Sequence, residues 1–141
     1  MTHMFLTAAD RVSGLDRMMK RMGRPTIDST GLERTIFRDR KLELFVWTTD
    51  GLTKAFELHY RIDAPDEWSM LWTEAGDTSF HRVDANGTAG ARTMIPADAH
   101  QLPIHDLHAE FVVRSRLIDE PTRRIVLIRL SEATRRYGNE S

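Results

Sequence analysis

Apolar and polar residues alternate with a period of two through the middle of the chain. Phe56, Leu58, Tyr60 and Ile62 are separated by Glu57, His59 and Arg61, with Asp63 following. That period marks a strand with one face buried. Ala64-Pro65-Asp66 and Glu74-Ala75-Gly76-Asp77 interrupt the alternation with turn chemistry, so the stretch from Leu52 to Asp84 reads as an antiparallel meander. Setting Tyr60 opposite Trp68 puts Leu58 opposite Met70 and Phe56 opposite Trp72 on one face, and Arg61 opposite Glu67 on the other. This register gathers the large apolar side chains and pairs opposite charges. Carried on with Trp72 opposite Phe80, it lines up His59, Leu71 and His81 on the second face. The two histidines would then stand roughly 9 to 10 Å apart, two strand spacings, with Leu71 between them.

The flanking segments extend this sheet. Arg34 to Trp47 predicts one or two strands, with Leu42, Leu44 and Val46 on one side and Phe45 and Trp47 on the other. A strand apolar on both faces belongs inside a sheet. Asp50-Gly51 is hairpin chemistry leading into Leu52. Upstream, Thr7 to Asp10 fits a helix N-cap, and Val12, Leu15, Met19 and Met22 form one apolar stripe that Gly23 and Pro25 would end. Thr88 to Ile95 reads as a connection or an edge strand, and Pro96 to His108 as a polar loop with a helix starting near Asp106. In the last third, Leu107, Phe111, Ser115 and Ile118 step at helical intervals, as do Val126, Leu130, Ala133 and Tyr137 after Asp119-Glu120-Pro121.

The expected fold is therefore α+β: an antiparallel meander sheet packed with an N-terminal helix and two C-terminal helices. Residues 1–141 form one domain, fraying at 1–6 and 138–141. The alternative is a mostly β chain, because Phe111-Val112-Val113 and Ile125 to Ile128 also suit a C-terminal hairpin.

Charge and composition narrow the partners. Twenty basic residues nearly balance twenty-one acidic ones, so no net field draws in nucleic acid or anionic lipid. The arginines and lysine between Arg11 and Arg24, without interleaved aromatics, read as a solvated helix face. No cysteine is present, which excludes disulfides, thiolate metal sites and a cysteine nucleophile. The apolar run Ile125 to Ile128 is far too short to span a bilayer, and the start of the chain carries no signal-type segment. A soluble cytoplasmic protein that binds neither nucleic acid nor membrane is expected.

Chemistry is sparse. There is no Gly-x-Ser-x-Gly elbow, P-loop, dinucleotide-binding Gly-x-Gly-x-x-Gly or His-Glu-x-x-His. Glu57 with Glu67, and Asp63 with Asp66, are paired carboxylates placed on turns or on the polar face of a strand, where nothing would tune an acid apart from a base. No catalytic residue, metal site or cofactor is assigned. His59, His81, Asp84, His100, His105 and His108 are the candidate ligand-binding residues, and the cluster of His100, His105 and His108 beside Asp98 and Asp106 matches no established zinc spacing.

Leu52-Thr-Lys-Ala-Phe-Glu-Leu-His-Tyr60, Glu67-Trp-Ser-Met-Leu-Trp72, Phe80-His-Arg-Val-Asp84 and the segment from Pro96 to Phe111 together form a pattern. It resembles a family of small proteobacterial proteins with no assigned activity, over roughly residues 52–130. The resemblance implies fold and bacterial origin and implies no mechanism.

Two functions follow as expectations. The first is a non-catalytic interaction or regulatory domain, a homodimer that can also take a protein partner. It is motivated by three tryptophans and seven methionines, residue types enriched in contact surfaces. The second is a small-ligand or metal-dependent enzyme with a histidine-rich site between the sheet and residues 96–108, which requires at least three of the histidines to converge.

Overall fold

A computed structural model describes residues 17–84 and 93–138. The chain is an α+β protein. Eight strands form one antiparallel sheet: β1 (Lys20–Arg21), β2 (Thr26–Ile27), β3 (Glu33–Arg38), β4 (Leu42–Thr49), β5 (Leu52–Tyr60), β6 (Trp68–Thr73), β7 (Ser79–Val83) and β8 (Met94–Pro96). Strands β3 to β8 lie side by side in chain order, and β1 and β2 both pair with the outer edge of β3. Two helices follow, α1 (Ile104–Arg114) and α2 (Glu120–Tyr137).

The hairpin between β4 and β5 turns at Asp50 and Gly51, both with positive φ (50° and 78°), the conformation that an Asp-Gly pair tolerates best. Across β5 and β6 the register is the expected one, with Tyr60 opposite Trp68, Leu58 opposite Met70 and Phe56 opposite Trp72. Arg61 falls outside this ladder, because β5 ends at Tyr60; its guanidinium pairs with Asp66 instead of facing Glu67. The next register differs from expectation by two residues: Phe80 lies opposite Met70 rather than Trp72. A tight turn closed by the Gly76 N–H on the Thr73 carbonyl draws β7 along β6. The row on the second face therefore runs His59, Ser69, His81, with Leu71 displaced from it.

The core sits on one face. Phe37, Leu42, Leu44, Val46, Phe56, Leu58, Tyr60, Trp68, Met70, Trp72 and Phe80 are buried there, against Ile104, Leu107 and Phe111 of α1 and Val126, Leu130 and Ala133 of α2. Aromatic pairs run across this layer: Phe56 stacks with Trp72 at 5.7 Å, and Phe80 meets Tyr137 of α2 edge-on at 5.6 Å. Arg114 at the end of α1 donates to Asp39 in the β3–β4 turn at 2.9 Å. The same Asp39 carboxylate accepts the Lys41 and Leu42 N–H groups. This partly buried arginine thus ties the helix layer to the sheet.

The helical reading of the last third holds. Asp119 caps α2 by accepting from the Thr122 N–H and hydroxyl, and Pro121 sits in the first turn where its missing N–H costs nothing. Helix α1 starts two residues before Asp106, and it stops at Arg114. Ser115 and Ile118 belong to the following turn.

The N-terminal helix is corrected where it is described. Met19 and Met22 flank a strand, with Lys20 opposite Arg38 and Arg21 opposite Phe37. The open edge of β3 offers unpaired backbone groups, and pairing satisfies them. Met19 is fully buried, whereas Met22 is half exposed; a shared helical stripe would not separate them this way. The proposed cap at Thr7–Asp10, together with Val12 and Leu15, lies outside the described residues. Gly138 closes α2: its N–H donates to the Thr134 carbonyl and its own carbonyl meets the His105 ring, while residues 139–141 of the expected frayed end lie outside the described residues.

Leu58 lies at the centre of the core face with no exposure. Leu58→Ala is expected to cost about 2 to 5 kcal/mol, measured by urea unfolding. A cost below about half a kcal/mol would contradict this placement.

Candidate functional site: a charged clamp on the second face of the sheet

Both described helices pack against the core face, so alternation along the strands leaves Ile36, Phe45, Trp47, Glu57, His59, Ser69, Leu71 and His81 on the opposite one. In cross-strand order, one row reads Ile36, Phe45, Glu57, Leu71, Ser79 and the next Arg38, Glu43, His59, Ser69, His81. The apolar members are half-buried. Phe45 and Trp47 stack at 6.2 Å, the Arg34 guanidinium lies 5.9 Å over the Phe45 ring, and His59 meets Phe45 edge-on at 5.7 Å.

Within this apolar surround, His59 is held from both sides. Its Nδ1 lies 3.0 Å from Glu67 Oε2 and its Nε2 lies 3.2 Å from Glu57 Oε2. The Glu67 side chain is 1% exposed. Burying a carboxylate is costly unless its oxygens are bonded, and here both are: Oε1 accepts the Asp63 N–H at 2.9 Å. Local backbone makes this possible. Arg61 and Asp63 adopt positive φ (58° and 64°), and the Glu67 N–H returns to the Ala64 carbonyl, so the β5–β6 turn folds around the Glu67 carboxylate. Positive φ is uncommon outside glycine, and two instances in three residues mark a turn shaped by its contacts.

Burial disfavours charge on His59, yet the hydrogen bonds and negative charges of Glu57 and Glu67 together outweigh it and raise the imidazole above its ordinary 6.5. Glu57 is pulled below its ordinary 4.5, first by the hydrogen bond from His59 and also by the charge of His59 and His81, against the opposing effect of burial. The cluster is a clamp in which one imidazole bridges two carboxyl groups. Next to it, Ser69 is fully buried and its Oγ has no hydrogen-bond partner. It stands opposite His59 on one side and His81 on the other. Both nitrogens of His59 are occupied, so His59 is not available to deprotonate this hydroxyl.

The candidate residues from the sequence divide between two regions. His59 and His81 share the second face, and Asp84 follows the end of β7 with its N–H on the Thr93 carbonyl. His100, His105 and His108 lie with the helices. His100 pairs with Asp98 and contacts the Tyr137 ring, His105 caps Gly138, and His108 meets the Thr134 hydroxyl. They do not converge with His59 and His81 in one cleft, and among the described residues no group of three His, Asp or Glu side chains is placed to hold a metal ion.

The residues that sequence reasoning passed over are Glu57, Glu67 and Ser69. Glu57 and Glu67 were legible as a carboxylate pair, but alternation assigned them to a solvated face, whereas Glu67 is buried. Ser69 carried no signal beyond its place in the alternation. No protein-family model, curated protein or solved structure matches this chain.

Because its pKa is raised in the folded state, His59 contributes its full stabilisation below about pH 6.5 and loses it as pH rises through the raised value. Glu57 contributes above about pH 4.5 and loses its share as acid protonates it. His108, lowered by burial and by His105, works against His59 by favouring the fold as pH rises. Comparison with His59→Gln isolates the clamp. The urea midpoint of the wild type relative to that variant is expected to fall between pH 6 and 9. A constant difference over that range would contradict a charged His59.

Proposed function

We propose that this chain is a non-catalytic interaction domain that presents the second face of its sheet to a protein partner and works as a homodimer. The observation that supports this reading is the clamp itself. A histidine with both nitrogens on carboxyl groups is held in place, and the buried Ser69 hydroxyl beside it has no hydrogen-bond partner to activate it. Around the clamp, Ile36, Phe45, Trp47 and Leu71 make an apolar and aromatic surface on rigid strands, the composition of an interface core. The enzyme alternative needed three converging histidines; His100, His105 and His108 each bond to a separate partner, Asp98, Gly138 and Thr134, and among the described residues no three His, Asp or Glu side chains are placed to hold a metal ion, which favours the non-catalytic reading. Balanced charge favours a protein over a polyanionic partner. No described helix is long and apolar enough to cross a membrane; together with the lack of cysteine, this accords with work in a reducing cytoplasm.

Site-specific photocrosslinking in cells tests the contact surface. A benzophenone side chain replacing Trp47 is expected to give discrete protein adducts, while the same group at Arg40, an exposed position in the β3–β4 turn, gives none of them. Absence of adducts at Trp47, or the same adducts from both positions, would overturn the assignment.

A further inference from the structure

Helix α2 has a buried side and an outward side. Val126, Leu130 and Ala133 face the core, whereas Glu120, Arg124, Ile128, Glu132 and Arg135 are exposed and Leu127 and Ser131 are half-buried. With Val112 and His108 of α1, these outward residues line an open groove of about 590 Å³ between the two helices. Of the seven exposed large apolar residues among those described, Val112, Val113, Leu117 and Ile128 lie on the helix layer. Apolar exposure is thus concentrated on this side of the molecule.

The order of residues along the outward stripe is self-complementary. Glu120, Arg124 and Leu127, and then Ile128, Ser131 and Arg135, are spaced by four and three and by three and four, symmetric about a midpoint between the adjacent Leu127 and Ile128. In a two-fold antiparallel pairing of α2 with a second α2, Leu127 and Ile128 sit at the axis. Arg124 then meets the small Ser131 of the second copy, and Glu120 meets its Arg135. An isologous contact needs this kind of symmetry, since each residue meets its complement twice. Within one chain Glu120 is bonded to Arg124, and no ion pair of Arg135 is found among the described residues. Arg135 is therefore the cation left for the partner copy.

We infer that two copies of this chain associate through antiparallel α2 helices, with Leu127 and Ile128 at the two-fold axis and Glu120 of each copy paired with Arg135 of the other. This rests on the dimeric part of the reading above and not on the sheet face, which the arrangement leaves open in both copies. The result is a bivalent particle with the two clamp faces turned away from the shared axis.

Sedimentation or light scattering over a hundredfold dilution gives the mass, expected at twice the 16.3 kDa of the chain. Arg135→Glu and Glu120→Arg should each raise the dissociation constant about tenfold or more, by setting like charges opposite one another twice. The combined variant E120R/R135E should restore association. All these positions are exposed, and circular dichroism checks that each variant is folded. Independently, Ile128→Cys, in a chain with no native cysteine, should oxidise to a covalent dimer, while Leu52→Cys, exposed on the β4–β5 hairpin, should not. A chain that stays at monomer mass overturns both this interface and the dimeric reading. A dimer insensitive to the charge swaps and not captured by Ile128→Cys overturns this interface alone.

Discussion

The period-two alternation of β5, held in register between β4 and β6, is the constraint on which the rest of the structure depends. Successive side chains of a strand point to opposite faces. Fixing Phe56, Leu58 and Tyr60 toward the helices therefore fixes Glu57 and His59 away from them. A slip of one residue would exchange the two sets, burying Glu57 and His59 among aromatic rings and exposing Leu58. The core makes that slip prohibitive. The clamp is accordingly placed by the packing on the other side of the sheet.

Two ionic arrangements then finish the molecule in different ways. Asp39 and Arg114 join the β3–β4 turn to the end of α1, so the helix layer is anchored by charge as well as by apolar contact. Glu67 reaches under the second face from the β5–β6 turn and holds His59 in place while its own backbone and that of Asp63 close the turn. Removing one member of such a buried set would leave its partner charged and unsatisfied. Glu57 and Glu67 favour the charged form of the imidazole against the cost of burial beside Phe45. A rigid, apolar surface with a fixed charge pattern suits recognition better than proton transfer.

Much of the fold was legible because it rests on local rules. The alternation through β5, the Asp-Gly hairpin and the Asp119 cap with Pro121 each follow from residues close in sequence. The β5–β6 register was legible as well, since only one alignment brings Tyr60, Leu58 and Phe56 onto Trp68, Met70 and Trp72. The shift of β7 by two residues was not, because it depends on which of several turn residues closes the loop at Gly76. The helix expected through Met19 and Met22 gave way to edge pairing with β3, a tertiary demand that periodicity does not register. The clamp was half legible. His59 and the Glu57/Glu67 pair were visible separately, but their union requires the left-handed backbone at Arg61 and Asp63 that brings Glu67 beneath His59. The histidines of residues 100–108 drew attention by their number, and each is bonded locally to a helix or turn.

The proposed recognition role of the second face turns on whether His59, set between Glu57 and Glu67, is held in its charged form. A nitrogen-15 NMR titration of the histidine side chains addresses it most directly, since protonated and bare ring nitrogens have well-separated shifts. His59 is expected to carry protons on both Nδ1 and Nε2 below its midpoint and to titrate above its ordinary 6.5, with couplings or exchange protection consistent with bonds to Glu67 and Glu57. A neutral His59 ring with one bare nitrogen, titrating at or below its ordinary 6.5, would contradict it. That result would leave a base free to act on the buried hydroxyl of Ser69.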